Sequence, residues 1–497
     1  MVNNETNKGI ILTKIVDNSN NVVGPILIKQ DPITPGKIIF GEYGIFQPVD
    51  NKLIDEVAKL ISQTKEFLCV SSFLIQDSKI IDEIKRCWER GVRVYILTAA
   101  ETQLENANED DNSSLKERKE IFRTMLNELS SHVLIHTGDN LHAKFIISDP
   151  KTHPKAIVFT SNLTVRALTE NVELAVELSE KSEVGELFRQ FLYGFWKVAV
   201  REVNGNSEKL AVFKQHPEFI DIETKPERLK WTLGEQLLIK DALNTMIESA
   251  STTISLSAWT IDSEHPVAKQ LIKKASEGIK VILFTRPHDA NKEFISRLIS
   301  KGGTVYCHRL LHAKSIIVDG KEGLIMTANI SKLGLDEGFE TAVMLNKEQI
   351  NVLNKIHNEW KYRCDYRSEP QVMLKDIEYP WINLNKGFNE LPKPEIKNIE
   401  QKTIAKNLKD YFNENIDGYV NEKSQNNINI KQLNYKINLI PPTIPSNVKI
   451  DRVEEKQGLK VMYAGKENYI CVKTKEQLLK AEELSKNIHA RIVLCDQ

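Results

Sequence analysis

Apolar residues recur along most of this chain at two spacings, and the order in which the spacings alternate outlines a fold. Runs such as EFLCVSSFLI, VRVYILTAA, TTISLSAWTI and IKVILFTR are rich in β-branched and aromatic residues and predict buried strands. Between them, SKIIDEIKRCWERG and HPVAKQLIKKASEG place apolar residues every three or four positions and stop at Gly91 and Gly278, as amphipathic helices do. Further helices are predicted over roughly Leu115 to Leu129 and Lys292 to Ser300, and over Glu183 to Val200 and Lys347 to Tyr362. NVELAVEL and GFETAVML alternate strictly, so Val172, Leu174 and Val176 share one strand face and Glu173 takes the other. Strands alternating with helices predict an α/β fold with a mostly parallel sheet.

The same succession of elements occurs twice, which divides the chain into repeats over 51–205 and 206–365. Residues 1–50 are β-rich and expected to stand apart. The proline-bearing stretch 366–395 (YRSEPQ, EYPWIN, ELPKPE) reads as a linker, and the acidic Glu101–Ser114 as a surface loop. Residues 396–497 form an accessory module. In it KTIAKNLKDYFNENIDGYV reads as helix, NEKSQNNIN as loop and PPTIPSN as a rigid turn. A small α/β unit follows, with strands at LKVMYAG, NYICV and ARIVLCD around the helix KEQLLKAEELSKNI.

With 497 residues the chain has room for about three domains. A net charge of -1 excludes a general polycation, so any polyanion must be met by a local patch. The six cysteines form no C-x-x-C pair, and are expected to be reduced thiols that hold neither disulfide nor zinc. No signal peptide and no apolar run of ~18 residues is visible, which predicts a cytoplasmic protein with no membrane contact.

The chemistry lies in a repeated constellation. His142, Lys144 and Asp149 recur at the same spacing as His312, Lys314 and Asp319. Thr160 and Asn162 answer to Thr327 and Asn329, and eleven residues past each asparagine stands a glutamate, Glu173 or Glu340. If His142 and Lys144 lie on a strand, they project from one face. Such a set can attack a phosphodiester: one neutral histidine as nucleophile and one protonated histidine as acid, then base. The lysines and asparagines would bind phosphate oxygens, and the glutamates would fix the imidazole tautomers. Asp149 and Asp319 are expected to hold turns or anchor nearby donors. No metal or other cofactor is called for.

The motif His-x-Lys, four residues, Asp, with Asn downstream resembles that of the phospholipase D superfamily, over roughly residues 51–365. The resemblance implies two repeats packed about a pseudo-twofold axis as one bilobal unit with a shared active site, so that no oligomer is needed to complete it. It implies catalytic roles for His142, Lys144, Asn162, Glu173, His312, Lys314, Asn329 and Glu340, with His142 as nucleophile. Phe159-Thr160 and Met326-Thr327 stand where the family commonly has Gly-Ser, which keeps a hydroxyl and alters the pocket.

His136, His288 and His308 read as structural or surface residues. Phe73 and Trp259 occupy matching positions and would stack a base, line an acyl groove or pack on the sheet. Arg166, Arg286, Arg309, Lys332, Lys151 and Lys155 are candidates for a phosphate track. The leading expectation is a metal-independent nuclease of a bacterial defence or DNA-processing system, whose C-terminal module docks a helicase, ATPase or other protein. The alternatives are a phospholipase or phosphatidyltransferase, and a non-catalytic or partner-activated nucleic-acid-binding subunit.

Overall fold

The computed structural model describes residues 22–30, 32, 38–100, 115–203, 210–212, 226–370, 372–373, 381–384, 450–464, 467–472, 477, 480–481, 484, 488 and 490–494. The acidic loop 101–114, the helix expected over 402–420 and the turn over 441–447 lie outside them. The chain divides into two units, Met1–Pro392 and Lys393–Gln497.

In the first unit the repeat is exact in its order. Strand Phe67–Ser71, helix Ser78–Glu89, strand Arg93–Ala99, helix Leu115–Leu129 and strand Leu134–Gly138 come first. Strands Phe145–Ser148, Lys155–Phe159 and Ala175–Leu178 and helix Lys181–Tyr193 complete the half. The second half runs Thr253–Ala258, Pro266–Ser276, Lys280–Thr285, Asp289–Ser300, Thr304–Cys307, Ser315–Val318, Glu322–Met326, Glu340–Met344 and Lys347–Arg363. The helices form where expected because one face of each is apolar. Lys52–Gln63, for instance, buries Leu53, Val57, Leu60 and Ile61. Gly91 and Gly278 end their helices at φ 82° and 90°, a conformation that other residues adopt only with strain.

The sheets are mixed, not mostly parallel. In each half three strands run parallel, and the strand that follows the His-x-Lys pair joins the first of them antiparallel. The next two strands continue antiparallel. The cause is connection length: the turn between Ser148 and Lys155 is too short for a crossover helix, so it can only make a hairpin. Among the described residues nine strands build the first sheet and eleven the second.

The segments expected to stand apart are woven into these sheets. Ile45–Phe46 pairs with Ala175–Leu178 at one edge of the first sheet. Ile26–Lys29 pairs with Tyr366–Glu369 and Trp381–Asn383 at one edge of the second, so the described part of 366–395 is strand rather than linker.

One apolar cluster, including Phe145, Phe191, Phe195, Trp231, Phe284, Phe339 and Trp360, draws on both sheets and joins the two repeats. The outer faces are covered separately. Helices Lys52–Gln63, Ser78–Glu89 and Leu115–Leu129 cover one sheet, and the three helices between 238 and 300 cover the other. Two similar layers thus meet over an apolar centre, and the site lies where the motifs face one another across it.

The second unit holds a four-stranded sheet, Arg452–Lys456, Leu459–Ala464, Glu467–Val472 and Ala490–Leu494, the last pair parallel. Residues 477, 480, 481, 484 and 488 are helical, and Leu459, Val461, Ile470, Val472, Ala481 and Leu484 form its core. Three of these strands and the helix are those expected. Arg452–Lys456 is too polar to announce itself. Cys69, Cys87, Cys307 and Cys364 are free and buried, but Cys471 is disulfide-bonded, against the expectation of thiols throughout. Distance along the chain says little about pairing once strands are laid side by side.

Candidate active site

Both motifs lie just ahead of strands instead of within them: the ladders begin at Phe145 and Ser315, one residue after each lysine. The backbone that would have paired in the sheet reaches across the unit. The N–H groups of His142 and Ala143 donate to the carbonyl of Phe339 (3.1 and 2.7 Å), and those of His312 and Ala313 to Val172 (3.0 and 2.8 Å). In return Phe339 donates to Asn140 and Val172 to Leu310, each at 2.9 Å.

This exchange sets the chemistry, because Glu340 follows Phe339 and Glu173 follows Val172. Each glutamate is delivered to the histidine of the other half. His142 Nδ1 meets Glu340 Oε1 at 2.8 Å, and His312 Nδ1 meets Glu173 Oε1 at 2.7 Å. The second oxygen of each carboxylate accepts from the threonine of its own half, Thr160 to Glu173 (2.6 Å) and Thr327 to Glu340. The threonines therefore orient the glutamates.

Burial alone would raise the pKa of Glu340, but His142, Lys144 and the Thr327 hydroxyl outweigh it and hold the carboxyl below its ordinary range. An ionised carboxylate can only accept, so Nδ1 of His142 carries the proton of this hydrogen bond. Lys144 and Lys314 are fully buried. Lys144 Nζ donates to the His142 carbonyl at 2.8 Å. Lys314 Nζ donates to the His312 carbonyl at 2.9 Å and stands 2.8 Å from His312 Nε2. The histidines differ in access: 18% of the His142 side chain is exposed and 1% of that of His312.

Asn162 and Asn329 are buried two residues beyond the threonines. Parallel bridges Ile75–Leu163 and Ile261–Ile330 set their segments beside Phe73 and Trp259. Those rings flank the histidines, Phe73 edge-on to His142 at 5.8 Å and Trp259 tilted to His312 at 6.0 Å between centroids. The matched aromatics thus flank the histidines, and Phe73 also packs against the core of its half.

Asp149 and Asp319 anchor donors, as expected. Asp149 accepts from the N–H groups of Lys65, Glu66 and Phe67. Asp319 accepts from those of Ser251, Thr252 and Thr253 and from the hydroxyls of Ser251 and Thr252. Each ties the end of a motif strand to the start of the neighbouring strand. What burial Asp319 has works to raise its pKa, but those donors lower it below the ordinary carboxylate range. A group depressed in the folded state adds stability above its unfolded pKa and loses it as pH falls through the folded value. Asp319→Asn should therefore unfold at lower urea than wild type at pH 7, with the gap narrowing on acidification below about pH 4. A gap that widens in acid would overturn this account.

The other singled-out residues serve the frame. His136 is fully buried, stacked on Phe195 and bonded to its carbonyl at 2.7 Å. His288 caps helix Asp289–Ser300 through Ala290, and His308 accepts from Leu310 in the turn before His312. Burial pushes both down to about 4. Arg286 donates to the Leu311 carbonyl, while Arg166 pairs with Glu170 and Lys332 with Glu337. Lys151, Lys155 and Arg309 are exposed.

Two supports escape a reading of the sequence. Gln190, which reads as a break in an apolar helix, is buried; it donates to the Glu340 carbonyl and accepts from the Thr341 hydroxyl, both at 2.9 Å. The turn Leu333–Glu337, between Asn329 and Glu340, is clasped through Asp336 by Lys240 (2.6 Å) and His265 (3.1 Å). Gly334 is obligatory there, since a Cβ would overlap the Asn329 carbonyl. A polar residue on the buried face of an otherwise amphipathic helix was the available signal for Gln190; nothing local marked Asp336.

A family model described as "Cardiolipin synthase, PLD-like domain" matches residues 57–196 and 243–362, more than half of the chain. Cardiolipin synthase A of Buchnera aphidicola subsp. Baizongia pistaciae is 29% identical over 133 residues, 25% of this chain and 27% of that one. The chain thus spans about a quarter of that relative. The DISARM protein DrmC of Bacillus paralicheniformis is 24% identical over 204 residues, 37% of this chain and 82% of that one. The crystal structure of phosphatidylserine synthase from Haemophilus influenzae Rd KW20 superposes with a TM-score of 0.47 at 13% identity, covering 73% of this chain and 93% of that one. Among the described residues no helix is long and apolar enough to cross a membrane.

Proposed function

The chain belongs to the phospholipase D-like family of phosphodiesterases and phosphotransferases, and from that premise we propose that it is a nuclease cutting DNA or RNA through a phosphohistidine. The observation that carries the reading is the crossed pair of histidine–glutamate bonds, which gives one site two oriented imidazoles beside two buried lysines. His142 is the nucleophile, being the ring that reaches solvent. Its Nε2 lone pair attacks phosphorus, the P–O bond to the leaving strand breaks, and His312 protonates that oxygen. Water then attacks phosphorus, gives its proton to His312, and the P–N bond breaks back to His142. Two in-line displacements leave the configuration at phosphorus retained.

Lys314 donates toward His312 Nε2. The substrate's phosphate anion is a stronger acceptor for that ammonium, and drawing it off frees the Nε2 lone pair to take a proton from water before the first displacement. The lysines supply the charge that the growing oxyanion needs, so the scheme uses no metal. Similarity to a DISARM protein over most of that protein's length supports a role in bacterial defence.

The stretch similar to a cardiolipin synthase favours a second reading, phosphatidyl transfer, in which an alcohol replaces water. Labelled single- and double-stranded DNA and RNA, incubated in EDTA beside a fluorescent phosphatidyl lipid, separate the two. Nucleic-acid cleavage that persists in chelator is expected. Lipid turnover alone would move the assignment to the second reading, and activity restored only by magnesium would overturn both.

A further inference from the structure

The two halves match around their histidines but not in the wall beside each ring. Ser71 pairs with Phe145 and Ser257 with Ser315, so Phe73 and Trp259 hold equivalent places two residues beyond. The next position is Leu74 in one half and Thr260 in the other. Where the first half presents hydrocarbon, the second carries an indole N–H and a hydroxyl. Both polar atoms are closed to solvent, and neither meets a hydrogen-bond partner among the described residues. Trp259 as a whole is 5% exposed. The bridge of Ile261 to Ile330 places this segment against Asn329, whose amide oxygen is likewise buried and unpartnered.

Folded proteins seldom leave such groups unmet, and each instance calls for an explanation. The fold does not require the indole N–H or the Thr260 hydroxyl: the equivalent positions of the first half do the same packing with phenylalanine and leucine, whereas Asn329 matches Asn162 and is common to both halves. Their placement beside a reactive ring points to a ligand, and an indole N–H can only donate, so the ligand must offer an acceptor.

We propose that Trp259, Thr260 and Asn329 form a subsite that hydrogen-bonds the nucleotide on the leaving side of the scissile phosphate, while Phe73 contacts the other side through apolar surface. The substrate would then bind in one direction across a nearly symmetric site. The proposal rests on the nuclease reading. It assigns the polar subsite to the leaving strand because His312, the ring beside it, protonates that strand.

Trp259→Phe removes the N–H and keeps an aromatic ring; Thr260→Val removes the hydroxyl at nearly constant shape. Both are compared with wild type on an oligonucleotide and on bis(4-nitrophenyl) phosphate, a diester without sugar or base. The small diester also reports the amount of folded enzyme. Each variant is expected to lower the ratio of kcat/KM for oligonucleotide over small diester about three- to tenfold, through KM. Equal losses on both substrates, or no change in the ratio, would overturn the subsite. Wild type that turns over lipid and no oligonucleotide would overturn the nuclease reading itself, before any variant is compared.

Discussion

His142→Asn and His312→Asn should each lower oligonucleotide cleavage by about 10⁴-fold or more, and the double variant should be no worse than either. The losses do not add because the rings act in the same two displacements. Asparagine is preferred to alanine since Glu340 and Glu173 are buried, and an amide can still donate to the carboxylate that loses its imidazole. The two single variants part company on bis(4-nitrophenyl) phosphate. Nitrophenolate leaves without a proton, so His312→Asn should release a burst of about one equivalent and stall as the phosphoenzyme. His142→Asn should give no burst. The reverse pattern would make His312 the nucleophile.

Glu340→Gln should cost about 10²- to 10⁴-fold in kcat, the range expected when the group holding a catalytic imidazole in its tautomer is neutralised. The sharper readout is which ring responds. Because Glu340 bonds His142, the ring nitrogen resonances of His142 should move while those of His312 stay, and Glu173→Gln should do the converse. The pH dependence has a definite sign. Glu340 ionises below the ordinary carboxylate range, so its support of His142 is complete at neutral pH and fades only as acid protonates it. Resonances that follow the histidine of the same half would refute the crossed pairing.

Much of this was legible without coordinates. Periodicity placed the helices, because an element that buries one face must repeat its apolar residues at the pitch of that element. The twofold constellation of His, Lys, Thr, Asn and Glu marked the candidate site, since a set repeated in the same order stands out from its surroundings. Strand direction is not carried by periodicity, although the short turn after Ser148 constrains it. Ile26–Lys29 looked like a separate segment because its partners, at 366–369 and 381–383, lie more than 300 residues away.

Sequence alone determined that the chain carries two matched sets of His, Lys, Thr, Asn and Glu. Tertiary structure alone decided how the sets are shared. The spacing from Asn to Glu is the same in both copies, so either glutamate could serve either histidine as far as the order of residues goes. The exchange of backbone hydrogen bonds at Val172 and Phe339 breaks that tie. It does so because peptide groups just ahead of the motif strands, outside the strand ladders, meet their partners in the opposite half.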